Sequence, residues 1–156
     1  MPKTFTTQGQ YFEEFEAGDI YVSAGRTITE TDIVNFAGIS GDYTQLHTNI
    51  EYARQGVFGQ RVAHGLLGMS IASGLLARLG FVEGTVQAFR EMTWKFRLPI
   101  YIGDTIHAQV TVIELKAMPR VKSGAATLEV QVINQENKVV QSGKWLLLVA
   151  SRPEGE

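Results

Sequence analysis

Apolar and polar positions change period near Gly84, which divides the chain into a helical first half and a stranded second half. Ile33, Val34, Phe36 and Ala37 fall at helical spacing, and Gly41 closes the pattern. Thr29 with Asp32 three residues on resembles a capping box at the start, Asp being a poorer partner than Glu. Asn49 has the side chain to cap a second, short helix through Glu51, Tyr52 and Ala53. From Val62 to Ala77, sixteen residues pass without Lys, Arg, Asp or Glu. Their apolar positions lie on every side, which predicts a helix buried all round. The stretch falls short of the roughly 18 residues a membrane span needs. Gly65, Gly68, Ala72, Ser73 and Gly74 suit close packing against other backbone instead.

After Gly84 the period is two. Thr85 to Phe96 reads as a strand with Met92, Trp94 and Phe96 on one face. Ile106, Ala108, Val110 and Val112 alternate with His107, Gln109 and Thr111, and Leu128, Val130 and Val132 repeat the pattern. Asn134 to Asn137 is a turn, and Val139 to Val149 makes a last strand. The order is a strand, helices, one buried helix and then at least four antiparallel strands. That predicts an α+β fold in which the sheet bends around the helix, not a doubly wound one. No repeat or linker divides the chain, so residues 1–156 read as a single domain with a core from about residue 10 to 150 and loose polar ends.

Charge and composition narrow the function. Fourteen Lys and Arg against sixteen Asp and Glu leave a net charge of -2, which argues against nucleic acid as the main partner. The absence of cysteine excludes a disulfide scaffold, a thiolate zinc site and a cysteine nucleophile. Met1 to Gln10 carries no continuous apolar run, so no secretory signal is visible and a cytoplasmic location is expected, with no membrane partner.

Two short segments hold candidate chemistry. His107 belongs to the polar face of a strand and reads as surface. Asp42 and His47 lie five apart between two helices, where a loop can turn both inward. A carboxylate and an imidazole sharing one water can orient it and take its proton; equally, Asp42 can cap the loop while His47 bonds to backbone. His64 and Gly65 open the uncharged helix. The Gly65 N–H suits an oxyanion there, because helix N-termini favour developing negative charge. Asp42, His47 and His64 have no familiar metal-ligand spacing, so no metal is expected. Gly80 to Gly84 lacks the lysine and glycine spacing of a phosphate loop.

Taken together, Gly41-Asp42-x4-His47 and the later Ala63-His64-Gly65 resemble the MaoC-like, (R)-specific enoyl-CoA hydratases, which are hotdog-fold proteins. Glu51-Tyr52-Ala53 and the segment Phe96 to Asp104 extend the resemblance over about Tyr11 to Val149. It implies that Asp42 and His47 are the catalytic pair and that Gly65 is the backbone donor to the thioester carbonyl. It also implies a homodimer or higher homo-oligomer, an acyl-CoA substrate and no cofactor. His64 is then expected beside the substrate. An acyl chain would run about 12 Å down the helix to Ser73 and Leu76, closed by Leu146. Arg54, Arg61, Lys95 and Arg97 are the cations available to CoA phosphates. The motif departs from the usual Asp-x-Asn-Pro-Leu/Ile-His, with Thr44 and Gln45 in place of Asn and Pro, so a looser loop, or a differently shaped pocket mouth, is expected. Family alternatives are a 3-hydroxyacyl-ACP dehydratase, a hotdog thioesterase and a non-catalytic acyl-CoA-binding protein.

Overall fold

A computed structural model of the chain describes residues 1–154. Short strands β1 (Ile20–Val22) and β2 (Arg26–Thr27) precede α1 (Glu30–Ser40), α2 (Gln45–Thr48), α3 (Ile50–Arg54) and the central helix α4 (Gly65–Ala77). Four long strands follow: β3 (Val86–Phe96), β4 (Thr105–Met118), β5 (Ser123–Ile133) and β6 (Val139–Ala150). They form one antiparallel sheet in the order β1-β4-β5-β6-β3, with β2 also paired to β4. The sheet curves over α4. This is the α+β arrangement of a sheet bent around one helix that the strand and helix order predicts, and it agrees with the hotdog fold that the resemblance implies.

Local chemistry explains the helix starts. The Thr29 hydroxyl accepts from the Asp32 N–H while the Asp32 carboxylate accepts from the Thr29 N–H, so Asp completes the capping box. Asn49 caps α3 through its bond from the Tyr52 N–H. Leu67, Ile71, Leu75 and Leu76 of α4 are buried among Ile106, Ala108, Val110, Leu128, Val130 and Val132 of the sheet. Burying that apolar face supplies the main attraction between helix and sheet.

The expectation of a helix buried all round is corrected by its far side. Leu66, Ser70, Ser73 and Ala77 recur at helical spacing and are exposed, as is Gly74. This open stripe has no sheet over it. Phe89, Met92, Trp94 and Phe96 of β3 face the same concave side, opposite Leu147, Trp145, Gly143 and Gln141 of β6. Among the described residues β3 pairs only with β6, which leaves its other edge without a partner strand there.

Among the described residues, no helix is long and apolar enough to cross a membrane.

Candidate active site

Asp42 is placed by the end of α1. Gly41 takes a left-handed conformation with φ of 74°, and its N–H donates to the Ala37 carbonyl to close the helix. The Ser40 hydroxyl then accepts from the Asp42 N–H at 3.1 Å. Asp42 Oδ1 accepts twice from one residue, the Thr44 hydroxyl at 2.6 Å and the Thr44 N–H at 3.1 Å. Oδ2 accepts nothing among the described residues.

Two histidines complete the cluster. His47, on α2 and half-buried, holds the Val62 carbonyl through Nδ1 at 2.7 Å. A carbonyl only accepts, so Nδ1 carries a proton, and in the neutral ring the lone pair lies on Nε2. His64 is buried at 2% exposure and donates from Nε2 to the Asp42 backbone carbonyl at 2.9 Å. Its Nδ1 is buried without a partner. The two rings stack with centroids 4.0 Å apart, and Phe36 lies 4.9 Å from His64. One polar atom from each of Asp42, His47 and His64 falls within 4.8 Å of the others.

The spacing bears on what the cluster can hold. The three ligand atoms lie close enough together to meet one bound atom, and the two histidine rings are stacked at an interplanar angle of 27°. A water or a polar substrate atom fits there. The carboxyl of Asp42 is held below the usual carboxylate range, first by the Thr44 hydroxyl and then by the Thr44 N–H. Desolvation opposes this weakly, and charge on His64 and His47 adds to it.

Gly65 is the first residue of α4, directly after His64. Its N–H donates to no group among the described residues. The region is more tightly built than its sequence suggests. A Cβ on Gly65 would lie 2.7 Å from the Phe96 ring, and one on Gly68 would lie 2.6 Å from Gln141 Nε2 and 2.7 Å from Ile100. Gln141 Nε2 donates to the Gly65 carbonyl at 3.0 Å, and Trp94 Nε1 donates to Gln141 Oε1 at 3.2 Å. Gln141 is the residue that sequence reasoning missed. Its one visible signal is an amide next to the apolar pair Val139 and Val140 at the start of the last strand.

The other expected positions separate. His64 turns its donor to the loop backbone rather than to open space. Ser73 lies on the exposed stripe of α4, its hydroxyl donating to the Ser70 carbonyl, whereas Leu76 is 2% exposed in the core. Leu146 lies on the outer face of the sheet, in a groove with Arg90, Glu114 and Lys116, because it alternates with the buried Trp145 and Leu147. It therefore cannot close a channel beside α4. Arg54 and Arg61 are paired with Glu51 and Glu30, and Arg97 donates to Ser142.

Comparison with known proteins follows the same lines. The family model described as "MaoC like domain" matches residues 14–134. The (R)-specific enoyl-CoA hydratase of Rhodospirillum rubrum is 34% identical over 142 residues, covering 91% of this chain and 93% of that protein. Protein MaoC of Klebsiella aerogenes is 39% identical over 102 residues, 65% of this chain, which spans 30% of that longer protein. The X-ray structure of a monoamine oxidase regulatory protein from Archaeoglobus fulgidus superposes with a TM-score of 0.87 at 34% identity, over 94% of this chain and 97% of that one.

Proposed function

The chain belongs to the MaoC-like domain family, and on that footing we propose that it is a hydro-lyase acting as an (R)-specific enoyl-CoA hydratase. The observation that carries this reading is the cluster itself. An ionised carboxylate with one free oxygen and an imidazole with a free lone pair converge beside a helix N-terminus whose first N–H is unused.

In the reaction, Asp42 Oδ2 and His47 Nε2 hold one water, with Asp42 as the principal base. The water oxygen bonds to C3 of the trans-2-enoyl thioester as the pair takes its proton. The C2–C3 π electrons shift to the thioester oxygen, which accepts from the Gly65 N–H. Collapse of that enolate draws the proton from the pair onto C2, so H and OH are added and the pair ends as it began. A preorganised backbone donor of this kind is worth roughly 3 to 4 kcal/mol in the transition state. No metal or redox cofactor takes part.

The acyl chain is assigned to the open stripe of α4 that carries Ser70 and Ser73, which leaves no role there for Leu76 or Leu146. A second copy of the chain covers that stripe in this reading. Phe89, Met92 and Phe96 are 50%, 40% and 56% exposed beside the free edge of β3. A strand with an exposed apolar face and an unpaired edge is an unstable surface for a lone protein, and pairing β3 with β3 of a homodimer removes it.

The test is loss of enoyl-thioester absorbance over a crotonyl-to-dodecenoyl-CoA series, in the wild type, Asp42→Asn and His47→Ala. Formation of (R)-3-hydroxyacyl-CoA that collapses in both variants supports the assignment. Turnover of acyl-ACP thioesters alone moves the carrier to ACP. Tight acyl-CoA binding without turnover contradicts an enzymatic role.

A further inference from the structure

We propose that Thr44 is a positioning residue for the reaction, one that fixes the orientation of the Asp42 carboxylate; this rests on the hydratase reading of Asp42. Thr44 occupies the N-cap of α2, where a threonine hydroxyl ordinarily accepts from a backbone N–H of the first turn. Here it makes no cap bond. Its hydroxyl instead donates to Asp42 Oδ1 at 2.6 Å, the short distance of a hydrogen bond to an ionised acceptor. The hydroxyl is thus diverted from the helix to the carboxylate.

Three features make that bond a device for orientation. The Thr44 N–H reaches the same oxygen, so Oδ1 is held from two directions while Oδ2 accepts no bond among the described residues, and a carboxylate oxygen lies within 4.8 Å of a ring nitrogen of each histidine. Thr44 is itself tied down, because its carbonyl accepts from the His47 N–H at 2.9 Å and from the Thr48 hydroxyl at 3.2 Å. Its β-branched side chain is also stiff about χ1, so the hydroxyl is placed before substrate arrives. A solvent-edge aspartate would otherwise rotate freely.

The same contact biases protonation. A hydroxyl donating to a carboxylate favours the charged form. The titratable groups facing Asp42 are His47 on α2 and His64 before α4, while α1 contributes the uncharged Ser40 hydroxyl. Both histidines lower the carboxyl only when they carry charge, whereas Thr44 acts at every pH.

Thr44→Val keeps the shape and removes the donor; Thr44→Ser keeps the donor. In Thr44→Val, kcat/KM is expected to fall about tenfold at neutral pH, where Asp42 is ionised in both proteins, because the carboxylate loses its fixed orientation, and the acid limb of the profile moves slightly upward. Thr44→Ser is expected to restore the wild-type profile. Both variants should stay folded, with the Thr44→Val melting midpoint only slightly lowered, since the bond it loses favours the ionised carboxyl in the folded chain and no cap bond is lost. A Thr44→Val profile superimposable on wild type overturns the proposal. A second readout needs no substrate: the carboxyl carbon of Asp42, assigned by its loss in Asp42→Asn, is titrated by NMR in wild type and Thr44→Val. An upward displacement in Thr44→Val supports the link and an unchanged titration refutes it. If the wild type fails on every enoyl thioester, the hydratase reading falls, and this titration still decides the Thr44 contact.

Discussion

Asp42, His47 and His64 come from three different segments, and each is placed by a backbone contact. The loop leaves α1 through Gly41, His64 holds the Asp42 carbonyl, and His47 holds the Val62 carbonyl. Asp42→Asn should leave the protein folded while kcat drops by about 100-fold or more. A comparable loss of folded protein would assign Asp42 to structure instead. The sign of the pH dependence follows from the lowered carboxyl. Asp42 is ionised throughout the neutral range, and activity that depends on it is lost only as pH falls through that lowered value. At this scale the sequence exposed Asp42, His47 and Gly65, since each carries an unusual side chain or none in a recognisable spacing. It did not expose Gln141, whose bond to the Gly65 carbonyl spans 76 positions along the chain. Gly68→Ala tests that packing. Its Cβ meets Gln141 and Ile100, both buried, so a loss of about 1 to 3 kcal/mol is expected in urea melts.

Elements were legible where their determinants are local. The Thr29–Asp32 box and the Asn49 cap sit within three residues of what they satisfy, and the alternation of β4 and β5 needs only neighbouring positions. The exposed side of α4 was not legible. Serine, glycine and alanine are neither apolar enough to demand burial nor polar enough to forbid it, so Ser70, Ser73, Gly74 and Ala77 read as buried until the sheet's extent is known. Leu146 failed for a related reason. Leu146, Leu147 and Leu148 form an apolar run without alternation, and their parity is set by pairing with β5 and β3. The capping box has its own test. Burial alone would raise the Asp32 carboxyl, but the Thr29 N–H and hydroxyl and the Arg26 guanidinium outweigh it and lower it. Asp32→Ala should therefore cost about 1 kcal/mol at neutral pH. The difference from wild type should vanish as acid protonates Asp32 below its lowered value.

At the scale of the whole molecule, the fold leaves two surfaces uncovered, the stripe of α4 and the apolar face and free edge of β3. They adjoin on the concave side, where Phe96 lies against Gly65. A β3-to-β3 homodimer accounts for both and would enclose the thioester between copies. Sedimentation equilibrium should give twice the chain mass for the wild type, and Met92→Glu should shift it towards monomer with its circular dichroism intact. A wild type that sediments as a monomer removes the proposed cover from the acyl site.

The most direct test of the central claim follows oxygen from solvent into product. Wild-type protein is incubated with trans-2-enoyl-CoA in oxygen-18 water, and the product is analysed by mass spectrometry and chiral separation. The account predicts label in the C3 hydroxyl of an intact (R)-3-hydroxyacyl-CoA. Label in a free carboxylate with release of CoA would place the water at the carbonyl, and would contradict hydration by Asp42 and His47.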